Sequence, residues 1–128
     1  MKSNKYGARP VKLLDGTRFD SRHEYQRWNE LLVLEKAGMI QGLLRQVKFV
    51  LIPAQVETYE RISEKTGRRL QDGRRCIEQA VNYVADFVYW QDGQMVVEDA
   101  KSKATRTEGY IIKRKLMLER HGIRVMEV

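Results

Sequence analysis

The feature that most constrains this chain is a pair of β-rich segments separated by a short turn. Residues 81–90 and 95–101 are rich in β-branched and aromatic side chains, and Asp92-Gly93 stands between them. An Asp-Gly pair in this position is typical of a tight antiparallel hairpin. The pattern therefore predicts a central piece of β-sheet against which the other elements must pack.

Patterns on the amino-terminal side predict a further hairpin, a helix and a strand. Residues 11–19 are expected to fold back at Asp15-Gly16. A capping box at Ser21 then opens a helix that ends before Gly38. After a turn around Gly42, residues 46–52 are expected to form a strand, because they are apolar and β-branched and stop at a proline.

The carboxyl-terminal part is predicted to form one helix and one strand. Thr105 to Glu108 has the spacing of a capping box, and the helix should run to about Arg120 before Gly122 ends it. Residues 123–128 follow as a last strand. The predicted order is therefore helix, three strands, helix, strand, in an α/β fold.

Two basic segments lie outside this pattern. Residues 1–10 are expected to form a basic arm, and residues 54–80 an exposed extension between strands. Within the extension, residues 61–75 hold six Lys or Arg against two acids. A hairpin turning at Asp72-Gly73 is expected there, with a short helix at 77–81 as the alternative.

Size and charge limit the classes of function. The 128 residues suit one domain, and the net charge of +7 favours a polyanionic partner. The apolar runs are far shorter than the roughly 20 residues of a membrane helix, and the polar amino terminus does not resemble a secretory signal. A cytoplasmic protein that does not cross a membrane is expected. The single cysteine excludes an intrachain disulfide and disfavours a zinc centre, so any metal should be a hard ion bound by oxygen.

The predicted central hairpin carries the candidate chemistry. Asp86 lies between apolar residues of the first strand, and Asp99 and Lys101 share one face of the second. An acid in such a strand is costly to bury unless a charge compensates it, and a divalent cation shared with Asp99 would do so. Lys101 would then lie near the metal, where it could help to activate water or stabilise phosphate charge.

This arrangement resembles the PD-(D/E)XK superfamily of restriction-endonuclease-like nucleases, whose core is helix, three-strand meander, helix and strand around a mixed sheet. The resemblance implies that Asp86 is the first acid, Asp99 the second and Lys101 the lysine of the motif. Ala85 replaces the usual proline before the first acid. The implied activity is Mg²⁺-dependent hydrolysis of DNA phosphodiester bonds, with Asp86, Asp99 and the Ala100 carbonyl as metal ligands and with Mn²⁺ expected to substitute.

A closer resemblance covers nearly the whole chain and points to a phage and prophage family of predicted endonucleases. It is carried by these motifs: Lys5-Tyr6-Gly7, Phe19-Asp20-Ser21-Arg22-x-Glu24, Arg45-Gln46, Tyr83-x-x-Asp86-Phe87, and Glu98-Asp99-x-Lys101 followed by Thr107 and Lys113 to Leu116. It implies branched DNA such as a Holliday junction as substrate, a role in recombination, repair or DNA processing, and the host-cell cytoplasm as location. It also admits a homodimer. The alternative is a non-catalytic nucleic-acid-binding or assembly protein of a mobile element.

Three supporting residues keep two interpretations each. By the resemblance Glu24 reaches the metal, but it is also placed to close the capping box behind Ser21. Gln46 is either a supporting site residue or a solvated edge residue. Glu98 lies on the opposite strand face from Asp99, which favours a surface or ion-pair role, unless a bulge exchanges the two acids. Phosphate contacts are expected from Lys5, Arg9, Arg68, Arg69, Arg74, Arg75, Lys103, Arg106, Lys113 and Lys115.

Overall fold

The computed structural model of this protein describes residues 9–101 and 105–128. One compact unit takes up the described part of residues 1–49 and 83–128, and a second takes up residues 50–82. The basic arm predicted at 1–10 therefore falls almost entirely outside the described residues. Within the described part of the chain, no helix is long and apolar enough to span a membrane.

The first unit begins with the predicted hairpin. Strands β1 (Val11–Lys12) and β2 (Arg18–Phe19) are antiparallel, with Val11 opposite Phe19. The connection is longer than a two-residue turn, because the Leu13 N–H donates to the carbonyl of Thr17 at 2.8 Å. Gly16 lies inside this loop with a φ of +92°, which explains the glycine.

Two helices follow the predicted positions closely. Helix α1 (Arg22–Lys36) begins after Ser21, whose hydroxyl accepts a hydrogen bond from the Glu24 N–H at 3.1 Å. The start expected for the second helix at Thr105 is wrong by two residues. Helix α2 (Glu108–His121) is capped by Thr107, and the left-handed Gly122 ends it as predicted.

The predicted α/β fold with a mixed sheet is confirmed. Its strands lie in the order β3 (Gln41–Ile52), β6 (Val81–Gln91), β7 (Gln94–Asp99) and β8 (Met126–Glu127). The β6–β7 pair is antiparallel around Asp92-Gly93, as predicted, and β7–β8 is parallel. The expected turn at Gly42 is wrong, since β3 begins at Gln41 and runs through that glycine.

The core lies between α1 and one face of the sheet. Leu31 and Ile40 pack with Phe87 and Tyr89 of β6. The ring of Trp28 stacks on Phe87 with centroids 5.9 Å apart. This packing fixes the middle of α1 against the central strands, and the first turn of the helix carries Glu24 of the candidate site.

The second unit contains an antiparallel pair, β4 (Gln55–Tyr59) and β5 (Gly73–Glu78). The chain reverses at residues 63–68, where the Ser63 N–H donates to the carbonyl of Arg68 at 2.9 Å. The turn predicted at Asp72-Gly73 is therefore wrong, and so is the alternative of a helix at 77–81. Gly73 serves another purpose: a Cβ there would lie 2.2 Å from the Tyr59 ring.

Candidate active site

Two acids face each other across the central hairpin of the first unit. Phe87 of β6 is paired with Glu98 of β7, so this register sets Asp86 opposite Asp99. The backbone N–H of Ala100 donates to Asp86 Oδ2 at 2.9 Å. This bond fixes one oxygen of Asp86 against the chain that leaves β7.

Asp99 is the more buried acid, at 3% exposure. The hydroxyl of Tyr83 donates to its Oδ2 at 2.5 Å, whereas its Oδ1 makes no hydrogen bond with any described residue. Burial, followed by the proximity of Asp86, raises the pKa of Asp99 to about 8, against the opposing influence of Tyr83 and Lys101. Asp99 thus presents one buried oxygen without a hydrogen-bond donor.

Lys101 lies beside this oxygen. Its Nζ is 3.7 Å from Asp99 Oδ1 and 4.9 Å from the centroid of the Tyr110 ring. The ring face attracts the ammonium group and holds it on the side of Asp99. The ammonium group of Lys101 therefore lies at Asp99, the acid with which it shares a strand face in the sequence-based prediction.

Glu24 is a third acid near Asp86, also at 3% exposure. Burial raises its pKa, and repulsion by Asp86 adds to the effect. Its Oε2 accepts the Asp20 N–H at 3.0 Å, and its Oε1 lies 3.6 Å from Arg45 Nη2. The Glu24 carboxylate does not close the capping box as predicted, because it accepts the N–H of Asp20 and not that of Ser21, and it lies in the wall of the cleft described below.

Gln46 connects the two sides of the site. Its Nε2 donates at 3.3 Å both to Glu24 Oε1 and to Asp86 Oδ1. Gln46 is exposed and lies in the edge strand β3, as one interpretation predicts, and its contacts with the two acids match the other interpretation, a supporting residue.

Part of this group lines a cleft of about 380 Å³, whereas Asp99 and Gln46 are not among the residues of its wall. Glu24, Asp86, Ala100 and Lys101 form one part of its wall. Arg18 and the two threonines before α2, Thr105 and Thr107, add hydroxyl and guanidinium donors. The cleft thus combines oxygen ligands with groups able to contact an anion.

Glu98 points away from the cleft. Arg27 donates to its two oxygens at 2.8 and 2.6 Å, and the Tyr89 hydroxyl donates a further short hydrogen bond. Glu98 is only 2% exposed, so the ion-pair alternative is right and the surface alternative is wrong. No bulge exchanges it with Asp99.

The predicted phosphate contacts are spread over the molecule. Among them, Arg68, Arg69, Arg74 and Arg75 belong to the second unit. Arg106, Lys113 and Lys115 lie at or in α2, and Arg9 is exposed. Lys5 and Lys103 lie outside the described residues.

Two residues of the quoted motifs, Tyr83 and Arg45, contact the site acids, although the sequence analysis assigns them no function. Tyr83 donates to Asp99, and Arg45 lies close to Glu24 while its guanidinium stacks on Phe19 at 3.9 Å from the ring centroid. The available clue to Tyr83 is chemical, because a tyrosine in an apolar strand needs a buried acceptor.

The oxygen atoms of the site suit a hard divalent cation that takes only a few of its ligands from the protein. Among the described residues, no three or more His, Cys, Asp or Glu side chains form a group able to hold a metal by themselves. Mg²⁺ needs less, since it commonly takes one or two carboxylates and keeps several waters. Asp86 and Asp99, whose Oδ1 accepts no hydrogen bond from a described residue, supply such a pair of carboxylates.

Comparison with known proteins places the chain in a family without assigning it an activity. No curated protein and no solved structure matches it. Residues 3–126 match the family described as "Protein of unknown function (DUF1064)". This match spans both units and every site residue above, so the chain belongs to the DUF1064 family.

Proposed function

We propose that this protein is a Mg²⁺-dependent endodeoxyribonuclease with a restriction-endonuclease-like core. The observation that carries the proposal is the buried Asp99, whose Oδ1 has no hydrogen-bond donor and lies opposite Asp86 and 3.7 Å from Lys101. A binding protein for a polyanion gains nothing from converging acids. A metal-dependent phosphodiesterase uses them to hold a cation.

The order of elements supports the same proposal. Helix α1, strands β3, β6 and β7, helix α2 and strand β8 follow the superfamily order of helix, three strands, helix, strand. Asp86 and Asp99 occupy the neighbouring central strands, as the motif requires. The hairpin β4–β5 is inserted between the first two strands of this order.

Each site residue has a role in hydrolysis. Asp86, Asp99 and the Ala100 carbonyl would hold the cation, and Glu24 would do so directly or through water. A bound Mg²⁺ supplies Lewis acidity to the phosphodiester and lowers the pKa of an attacking water. Lys101 would stabilise the negative charge that builds on the phosphate oxygens. Water adds to phosphorus, the bond to the 3′ oxygen breaks, and the products carry a 5′-phosphate and a 3′-hydroxyl.

The substrate proposal rests on resemblance to phage and prophage endonucleases. It comprises branched DNA such as a four-way junction, a role in recombination, repair or DNA processing, and action in the cytoplasm of a host cell. A homodimer would suit a junction with two equivalent cleavage points. Mn²⁺ is expected to replace Mg²⁺.

Cleavage assays on end-labelled linear, flap and four-way DNA test the proposal. We expect cleavage with Mg²⁺ or Mn²⁺ and none with chelator. Asp86→Ala and Asp99→Ala should each abolish cleavage while DNA binding is kept or strengthened, because negative charge is lost. Glu119→Ala, which removes an exposed acid of α2, is the matched control and should cleave normally. Binding without cleavage by the native protein would favour the non-catalytic alternative.

A further inference from the structure

The backbone of Gln46 adopts a conformation that its place in the fold does not require. Among the described residues, only Gln46 and Asp92 combine a side chain with a positive φ, at +53° and +51°. Asp92 lies in a two-residue hairpin turn, where this conformation is normal. Gln46 lies inside β3, where extended backbone is the rule, so its conformation is strained.

This kink redirects two consecutive side chains. In an extended strand, neighbouring side chains point to opposite faces of the sheet. Yet Arg45 Nη2 and Gln46 Nε2 both approach the same atom, Glu24 Oε1, at 3.6 and 3.3 Å. The left-handed residue therefore lets two adjacent residues of one strand reach one carboxylate.

Both side chains are restrained at their other contacts. Arg45 donates to the Arg18 carbonyl at 3.0 Å and lies over the Phe19 ring. Gln46 Nε2 also reaches Asp86 Oδ1 at 3.3 Å. Arg45 supplies positive charge to buried Glu24, and Gln46 holds the carboxylates of Glu24 and Asp86 at a common donor.

We propose that the left-handed kink at Gln46 is strain retained for the site, and that Gln46 and Arg45 are positioning residues for Glu24 and Asp86. Their effect on catalysis rests on the proposed nuclease function. Their effect on stability and on the two acids does not.

Paired substitutions separate backbone strain from loss of the amide. Gln46→Ala removes the amide and keeps the unfavourable φ, whereas Gln46→Gly removes the amide and relieves it. We expect the glycine variant to melt about 2–6 °C above the alanine variant. Asp92→Gly and Asp92→Ala are the matched controls, and should differ in the same direction. Equal melting temperatures for the two Gln46 variants would show that the backbone at this position is not strained.

Metal and substrate readouts test the positioning role. Both Gln46 variants should lose roughly 10–100-fold in Mg²⁺ affinity, measured by calorimetry, and in kcat, with KM for DNA little changed. Asp92→Gly should lose neither. Gln46→Asn keeps an amide and tolerates the left-handed backbone, so it should recover part of the loss. A Gln46→Gly variant with native metal affinity and kcat would contradict the positioning role.

A double-mutant cycle keeps this test independent of the nuclease activity. If the native protein cleaves no DNA, the nuclease proposal fails, but Gln46→Ala and Glu24→Gln can still be combined and melted without metal. Contacting residues are expected to have non-additive effects on stability. Additive shifts in melting temperature would show that Gln46 does not act through Glu24.

Discussion

At the scale of single residues, the burial of Asp99 makes stability depend on pH. Its pKa of about 8 lies above the ordinary value, so its contribution to stability is complete below pH 4 and is lost as the pH rises through 8. The raised pKa of Glu24 acts in the same direction. The protein in chelator should therefore melt at a lower temperature at pH 8 than at pH 5. Asp99→Asn should flatten this trend, and an unchanged trend would contradict the assignment.

A divalent ion should reverse that loss, because it compensates the charge that burial opposes. Mg²⁺ well above its dissociation constant is expected to raise the melting temperature, and more at pH 8 than at pH 5. Scanning calorimetry with and without Mg²⁺ measures both shifts. A rise that persists in an Asp86→Asn, Asp99→Asn double variant would show that the ion binds elsewhere.

The neighbouring acid Glu98 is also buried, but its charge is compensated by a bidentate ion pair with Arg27. Arg27→Met would leave Glu98 buried without its cation, which typically costs about 3–5 kcal/mol in the free energy of unfolding. Urea denaturation measures this loss. The exposed pair of Arg27 with Glu30 supplies the control, since Glu30→Gln should change stability by about 0.5 kcal/mol or less. Similar effects from both variants would contradict the distinction.

At the scale of elements, helix α2 depends on its cap at Thr107. The Thr107 hydroxyl accepts the Tyr110 N–H at 3.1 Å. Thr107→Ala should therefore lower the free energy of unfolding, measured by urea denaturation, by about 1 kcal/mol. Thr107→Ser keeps the acceptor and should cost less. If both variants were equally destabilised, the methyl group and not the hydroxyl would be responsible.

Local patterns predicted most elements but not their ends or their irregularities. Asp92-Gly93 was sufficient to predict the central hairpin, because only a few residue pairs suit that turn. The pattern places the start of α2 at Thr105, because Glu108 follows it at capping-box spacing, whereas the observed cap is Thr107, which has no such acid three residues on. The kink at Gln46 has no sequence signature, since glutamine does not favour positive φ; contacts with Glu24 and Asp86 accompany it.

The candidate site was predictable to the extent that strand register brings residues together. Asp86 and Asp99 are opposite each other because the hairpin fixes their pairing, and Lys101 follows from its spacing. Tyr83 and Arg45 act across distances in sequence that no local pattern encodes. The Arg27 partner of Glu98 was likewise hidden, since it lies 71 residues away.

At the scale of the whole molecule, the count of 24 Lys and Arg overstates the number of cations available to DNA. Arg106 and Arg114 both pair with Glu127, at 2.8 and 3.1 Å. In the second unit, Arg69 pairs with Asp72, and Arg75 with Glu57 at 3.0 Å. Arg68 and Arg74 form no ion pair with any described residue. Of the four arginines of this unit that are predicted to contact phosphates, two are therefore paired with acids and two are not.

This division gives a matched test of DNA binding. Replacing the unpaired Arg68 and Arg74 by Gln should weaken binding more than replacing the paired Arg69 and Arg75, although both double variants lose the same formal charge. Backbone contacts carry no sequence information, so the loss should be the same for all DNA sequences. Affinity should also fall steeply with salt, at a log–log slope of about 0.9 per neutralised duplex phosphate.

Fluorescence anisotropy across a salt series measures both quantities on linear and four-way DNA. The Arg68 and Arg74 double variant should have the shallower salt slope, because fewer counterions are released when it binds. If this unit holds a branch point, the variant should lose more affinity for four-way DNA than for linear duplex. A native salt response that is flat, or a loss confined to one DNA sequence, would show that these arginines do not bind the phosphate backbone.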